Sequence, residues 1–263
     1  MIKLFTFLVL LSGCAQRDTS NNKVKISGAE YGIFKNTPAW ELARSVSDGN
    51  MDAIRSIVRK DKNIANYRDP VYKKTLLLLA VEHKNYNSVK TLLELGANPN
   101  IQSEPDGTSA LMAAAKLGMG GFDHSNADPR FLIVLLKYGG DPNAVQKGDS
   151  IKGNKTYFTP LIFACLSRVP DYVKILVDAG ADINFYNKYG FSPLYAAIVG
   201  GNPDIVMYLL EKGADFKRPL YTTVKGEKKY ILDALNVWNF EKGSELYKKQ
   251  EKVRGFLSKK GIK

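Results

Sequence analysis

Residues 158–184 read FTPLIFACLSRVPDYVKILVDAGADIN, and this stretch decides the fold. Thr159-Pro160 supplies a capping hydroxyl followed by proline at the first helical position, where its missing N–H costs nothing. Leu161 to Ser167 then form a short apolar helix, and Val169-Pro170 opens a second one, closed by Leu176-Val177. Gly180 follows, where a left-handed helix terminator favours glycine.

The same plan recurs. Residues 191–217 read FSPLYAAIVGGNPDIVMYLLEKGADFK, and residues 74–100 read KTLLLLAVEHKNYNSVKTLLELGANPN. A fourth copy begins TSALMAAAKLGMGG at Thr108 and resumes as FLIVLLKYGGDPN at Phe131. The cap positions Thr75, Ser109, Thr159 and Ser192 lie 34, 50 and 33 residues apart, each with an alanine five residues on (Ala80, Ala114, Ala164, Ala197). The long step holds two insertions, MGGFDHSNADP and VQKGDSIKGNKTY. Small residues such as Ala113, Ala114, Ala196 and Ala197 let neighbouring helices approach closely, and Gly96, Gly139, Gly180 and Gly213 end the second helices.

A period of about 33 residues with Thr-Pro-Leu-x-x-Ala resembles the ankyrin repeat. The expected fold is therefore an all-α ankyrin-repeat solenoid of about six helix-turn-helix units with β-hairpin finger loops, covering 37–263. Two of the six are divergent caps: WELARSVSDGNMDAIRSIVRKDKNIAN, where Trp40 stands for the usual threonine, and the lysine-rich segment from Tyr230. A terminal unit has one neighbour, so a polar outer face suits it. Lys248, Lys249, Lys252, Lys259 and Lys260 read first as that solvated face.

The N-terminus has a different character. Lys3 precedes an apolar run, Leu4 to Leu11, and Leu11-Ser12-Gly13-Cys14 resembles the lipobox of bacterial lipoproteins. The run is too short to span a bilayer. The expectation is a signal peptide at 1–13, lipidation at Cys14, and a flexible tether over 14–36. Ala15 and Gln16 follow the cysteine without an aspartate, which resembles outer-membrane sorting. With Cys14 acylated, Cys165 has no partner and reads as a small buried hydrophobe.

Charge constrains partners without choosing one. The chain carries 38 Lys+Arg against 26 Asp+Glu, a net +12 and a pI near 9.5, which favours anionic partners. Export argues against nucleic acid. No G-x-S-x-G, H-E-x-x-H or phosphate loop occurs, and GNKT at 153–156 lacks the spacing of one. Asp123, His124 and Asp128 share an insertion and have metal-ligand chemistry, but a loop with Asp128 capping a helix explains them with less. The expectation is no enzyme, no cofactor and no metal.

Repeat arrays bind along an extended surface. The candidate contact residues are the inner-helix positions Glu82, His83, Lys116, Leu117 and Leu166. With them go the finger positions Lys147, Asp149, Lys152, Lys155, Tyr157, Tyr186, Lys188, Tyr189, Tyr221 and Lys225. Tyrosine beside lysine gives large contact area and a hydrogen bond at low entropic cost.

Bacterial ankyrin lipoproteins of this layout resemble immunity proteins of type VI secretion systems, notably those paired with phospholipase effectors. The resemblance implies a chain, monomeric when free, that binds and neutralises a cognate effector or lipase at the periplasmic face. The alternative is a constitutive envelope scaffold or partner of a periplasmic enzyme.

Overall fold

The computed structural model describes residues 28–104, 106–119, 127–148, 156–223 and 225–262; Cys14, Asp123, His124, Asp149, Lys152 and Lys155 lie outside the described residues. A lead turn, α1 (Gly28–Tyr31), is followed by a 3-10 turn over Gly32–Phe34. Among the described residues, six helix pairs then stack in order. The inner helices are α2 (Trp40–Ser47), α4 (Leu76–Glu82), α6 (Ala110–Lys116), α8 (Pro160–Ser167), α10 (Pro193–Gly200) and α12 (Ile231–Leu235). Their outer partners are α3 (Met51–Lys60), α5 (Tyr86–Glu94), α7 (Pro129–Lys137), α9 (Pro170–Asp178), α11 (Pro203–Glu211) and α13 (Glu245–Lys259). The all-α solenoid expected from the period is the fold observed.

The inner helices of units two to five are sandwiched between neighbouring units, so they are apolar almost all round: Leu76 to Val81 of α4 are buried without a break, whereas the terminal α2 keeps Glu41 and Arg44 exposed. Outer helices bury one stripe only, as Val89, Leu92 and Leu93 do in α5. The hydroxyl caps act as their spacing requires. Thr75, Ser109, Thr159 and Ser192 accept hydrogen bonds from the backbone N–H groups of Leu78, Met112, Ile162 and Tyr195 at 3.2–3.4 Å. Unit one departs from this: Ala39 stands at the cap of α2 and makes no side-chain bond.

A second device links the units through their asparagines. Asn66, Asn100, Asn143 and Asn184 each reach one unit onward. Asn143 accepts from the Asp182 N–H at 2.7 Å and donates to the Gly180 carbonyl at 3.0 Å. Asn100 does the same to Asp141 and Gly139, both at 2.8 Å. Asn66 bonds Asn98 and Gly96, and Asn184 bonds Asp215 and Gly213. This ladder satisfies the orphan carbonyls at the ends of the outer helices and fixes the pitch of the stack. Asn143→Ala removes two such bonds and is expected to cost about 1–2 kcal/mol, read as a lowered midpoint in urea with unchanged helical signal.

Two differences from expectation appear, one at the N-terminal end and one in the fingers. Packing starts inside the segment 14–36 read as a tether: Tyr31 is 1% exposed and Phe34 fully buried, because an otherwise open end of α2 and α4 needs an apolar cover. Hairpin fingers are present, but β-pairing between named strands occurs, among the described residues, only in the last, β1 (Tyr221–Thr222) against β2 (Lys228–Lys229). The others close through single backbone bonds such as Ser103 N–H to the Thr108 carbonyl at 3.0 Å and Asn187 N–H to the Phe191 carbonyl at 3.0 Å. At the C-terminus Gln250 is buried and donates to the Leu235 carbonyl at 3.0 Å, while Lys249 pairs with Asp204 at 2.6 Å. No helix among the described residues is long and apolar enough to cross a membrane.

Candidate interaction surface

Two positions flank each inner helix on the same face: the residue before the cap and the residue seven after it. Their chemistry changes along the array. In unit two they are Lys74 and Glu82, in unit three Thr108 and Lys116, in unit four Phe158 and Leu166, in unit five Phe191 and Val199. The face is ionic at its N-terminal half and aromatic at its C-terminal half.

The ionic half is occupied with itself. Lys74 Nζ lies 2.8 Å from Glu82. Burial works against the Lys74 charge, but Glu82 outweighs it and holds the amine above its ordinary range. His83 Nε2 sits 2.7 Å from Glu30 and its ring 5.2 Å from Tyr31, so the lead turn packs on α4, although neither His83 Nε2 nor the buried Tyr31 hydroxyl has a hydrogen-bond partner among the described residues. Burial pushes the Tyr31 hydroxyl up, and Glu82 and Glu30 push the same way. Asp106 is buried against its charge, yet bonds from Ser103 and Thr108 hold its carboxyl below the usual range.

Lys116 joins the halves. Its Nζ donates to Thr108 Oγ1 at 3.0 Å and stands 4.2 Å from the centre of the Phe163 ring. Burial lowers its pKa, with Asp106 and Glu82 only partly offsetting that. Thr108 Oγ1 still bonds Asp106 at 2.7 Å without the lysine, so Lys116→Met leaves no hydrogen bond unmade, and Asp106 loses a nearby positive charge while keeping its bonds from Ser103 and Thr108. The charge is a net cost here, and Lys116→Met is expected to raise stability by about 1 kcal/mol at neutral pH. A folded-state pKa below the ordinary 10.5 makes the wild type gain stability as pH rises between the two values. The advantage of the methionine variant therefore shrinks as pH approaches 10.5, checked by melts from pH 7 upward.

Beyond Lys116 runs an aromatic ladder. Phe163 meets Phe158 at 5.5 Å between centroids, Phe158 meets Phe191 at 4.8 Å, Phe191 meets Tyr195 at 4.9 Å, and Tyr195 stacks on Tyr221 at 5.4 Å. Burial, with Tyr221 beside it, pushes the Tyr195 hydroxyl up to about 12. At the finger tips Lys188 lies 4.7 Å from the Tyr157 ring and 5.1 Å from the Tyr189 ring. A hydrogen bond that it donates to Tyr157 holds that amine above its ordinary range.

The fingers are tied into one surface. Gln146 Nε2 donates to the Asp106 carbonyl at 2.6 Å, Gln102 Nε2 to the Val145 carbonyl at 2.9 Å, and Asn187 Nδ2 to the Thr156 carbonyl at 2.7 Å. Tyr186 is turned inward at its hydroxyl, which donates to the Pro219 carbonyl at 2.9 Å. Leu117 and Leu166 are half-buried and pack on the core.

The structure thus separates the expected contact residues into three groups. Glu82, His83 and Lys116 are bound within the array; Tyr157, Lys188 and Tyr189 come together, with Tyr221 stacked on Tyr195; Lys147 and Lys225 stand exposed at finger tips. Lys74, Glu30 and the phenylalanines Phe158, Phe163 and Phe191 complete these arrangements, although the repeat pattern does not single them out. Asp128 caps α7, accepting from the Arg130 N–H at 3.0 Å, with its carboxylate paired to the Arg130 guanidinium at 2.7 Å. Cys165 is free and fully buried, and burial pushes its thiol up, so it packs as a hydrophobe.

Comparison with known proteins agrees with this architecture. The chain is 31% identical over 155 residues to Protein PhlB of Serratia liquefaciens, covering 59% of this chain and 60% of that protein. It therefore spans well under two thirds of that relative's length. The family profile described as "Ankyrin repeats (3 copies)" matches residues 42–127 and 125–219. With stacked helix pairs, capped inner helices and cross-linked fingers on the same span, the chain belongs to the ankyrin-repeat family, whose arrays are protein–protein interaction modules.

Proposed function

We propose that this array is a lipid-anchored, periplasm-facing immunity protein that binds and neutralises a secreted antibacterial effector, with a phospholipase as the effector class. The binding role rests on one observation above all: the finger tips present Lys147, Lys188, Tyr189 and Lys225 exposed, with no internal ion pair among the described residues and with a largely buried aromatic ladder beneath them. The location rests on Leu11-Ser12-Gly13-Cys14, and the outer membrane is the destination that Ala15-Gln16 favours. The basic excess of the chain suits an acidic effector surface, since complementary charge speeds encounter. The chain is monomeric until it meets its partner, needs no cofactor and carries out no chemistry of its own.

The test is capture of the adjacent gene's product by the full chain, together with labelled-palmitate incorporation in wild type and Cys14→Ser. A stable complex that silences a toxic neighbour, and label lost in the serine variant, are the expected results. A neighbour that binds but is an envelope enzyme, unaffected in activity, would transfer the array to a scaffold role. Label retained in Cys14→Ser would remove the anchor.

A further inference from the structure

We infer that partner binding is confined to the C-terminal half of the array, and that the segment bound there is an acidic, aromatic-rich stretch of protein laid across the fingers of units four to six. The inference rests on the binding-module reading and specifies its surface and its ligand chemistry. Charge complementarity carries it. Each described carboxylate of the fingers is already engaged: Asp69 accepts three backbone N–H groups, Glu104 pairs with Arg68 at 3.1 Å, Asp106 holds Ser103 and Thr108, and Glu227 pairs with Lys229 at 3.1 Å. Lys147, Lys188, Lys225 and Lys228 are exposed and have no carboxylate in ion-pair distance among the described residues. A partner approaching the finger tips therefore meets unpaired lysines, while the exposed carboxylates Glu104 and Glu227 are already matched by Arg68 and Lys229.

Beside those cations lie aromatic faces. Tyr189 is 59% exposed, Tyr157 and Tyr221 are half-buried, and Phe158, Phe191 and Tyr195 back them from below. Rings braced in this way lose little freedom on binding, which is what makes aromatic anchors effective at interfaces. The N-terminal half offers less: Tyr72 is 47% exposed there, but Lys73 beside it turns back to the Pro70 carbonyl at 3.3 Å and no ladder of rings among the described residues backs it. Lys74 and Glu82 are consumed in one internal pair, Glu30 lies against His83, and Lys116 is folded back onto Phe163. Opening those pairs to meet a partner would leave partly buried charges uncompensated.

The probe is a glutamate–tyrosine copolymer, titrated by fluorescence anisotropy against the full chain in about 0.1 M salt, where screening already limits long-range attraction. Lys188→Glu/Lys225→Glu is expected to bind about tenfold or more weakly. Lys90→Glu/Lys174→Glu, with the same charge change on the exposed faces of α5 and α9, is expected to stay within about twofold of wild type. Lys116→Met is expected to bind as wild type does, and Tyr189→Ala to weaken binding at unchanged melting temperature. Equal weakening by the outer-helix control would reduce the effect to net charge and overturn the inference. So would a comparable loss in Lys116→Met, or binding to phosphatidylglycerol vesicles with none to the copolymer. The captured neighbour separates this inference from the immunity reading. If it binds the Lys188→Glu/Lys225→Glu chain as well as wild type, the surface is wrong and the immunity role stands. If the copolymer selects those lysines while no neighbour is captured, the surface stands and the role falls.

Discussion

Leu111→Ala is expected to lower the stability of the array by about 2–5 kcal/mol, the cost of a buried leucine truncated where its surroundings cannot close in. Leu111 is fully buried on α6, which packs between α4 and α8. Its Cδ2 also abuts the turn after α7, 3.6 Å from where a side chain on Gly140 would begin. Three elements therefore frame the lost volume, and each is held elsewhere: α4 by the Thr75 cap, α8 by the Thr159 cap, the turn by the Asn100 ladder bonds. In a linear array every unit is stabilised by its neighbours, so a defect in unit three weakens the interfaces on both sides of it. Leu257→Ala in α13 offers the contrast. That leucine is equally buried, but it lies in the last unit, with a stack on one side only. Urea unfolding followed by circular dichroism should show Leu111→Ala shifting the whole transition, and Leu257→Ala detaching an early C-terminal phase. A shift in Leu111→Ala worth under about 1 kcal/mol would mean that α6 collapses onto the gap and that the units are less rigidly spaced than the ladder implies.

The features legible in the sequence are those written locally. A hydroxyl at Thr159 followed by proline and an apolar run specifies a capped helix whatever lies around it, and the period then stacks the copies. Features that depend on who meets whom are not legible there. Asn143 is an ordinary polar residue at the end of Gly-Asp-Pro-Asn until its partners, Gly180 and Asp182, arrive from the next unit. A signal does exist, since Asn100, Asn143 and Asn184 occupy one column of the repeat and only Lys217 breaks it. Glu82, His83 and Lys116 read as free contact residues because their columns face outward in the pattern. Their partners Lys74, Glu30 and Thr108 belong to finger or lead segments whose course the period does not describe. The same gap places Tyr31 and Phe34 in a tether, although two aromatic residues in a polar stretch already suggest a cover for the first unit. For the contact surface, tyrosine beside lysine is legible as chemistry, but which lysines remain unpaired is a property of the fold.

Gly107→Ala is the second large effect expected, about 3 kcal/mol or more, and it bears on binding as well as stability. Gly107 has φ +66°, a left-handed conformation that costs an alanine about 1 kcal/mol. A Cβ there would also stand 2.1 Å from the Gly148 nitrogen and 2.7 Å from that of Lys147, both backbone atoms of the next finger. No side-chain rotation relieves such an overlap, so the two fingers must part. Parting them breaks the Gln146 bond to the Asp106 carbonyl and the bond from Lys147 N–H to Gln102, each worth about 1 kcal/mol. Gly96 supplies the comparison, because it has φ +92° and nothing within 4 Å of where its Cβ would stand. Gly96→Ala should therefore show the conformational cost alone, about 1 kcal/mol. Equal losses in the two variants, measured by urea midpoints, would mean that the fingers of units three and four are not in backbone contact. Lys147 lies at the junction, on the finger that carries the first free cation of the proposed surface. Gly107→Ala at a temperature where it remains folded should thus weaken copolymer binding, whereas Gly96→Ala, at the foot of a finger with open space where its Cβ would stand, should leave it intact.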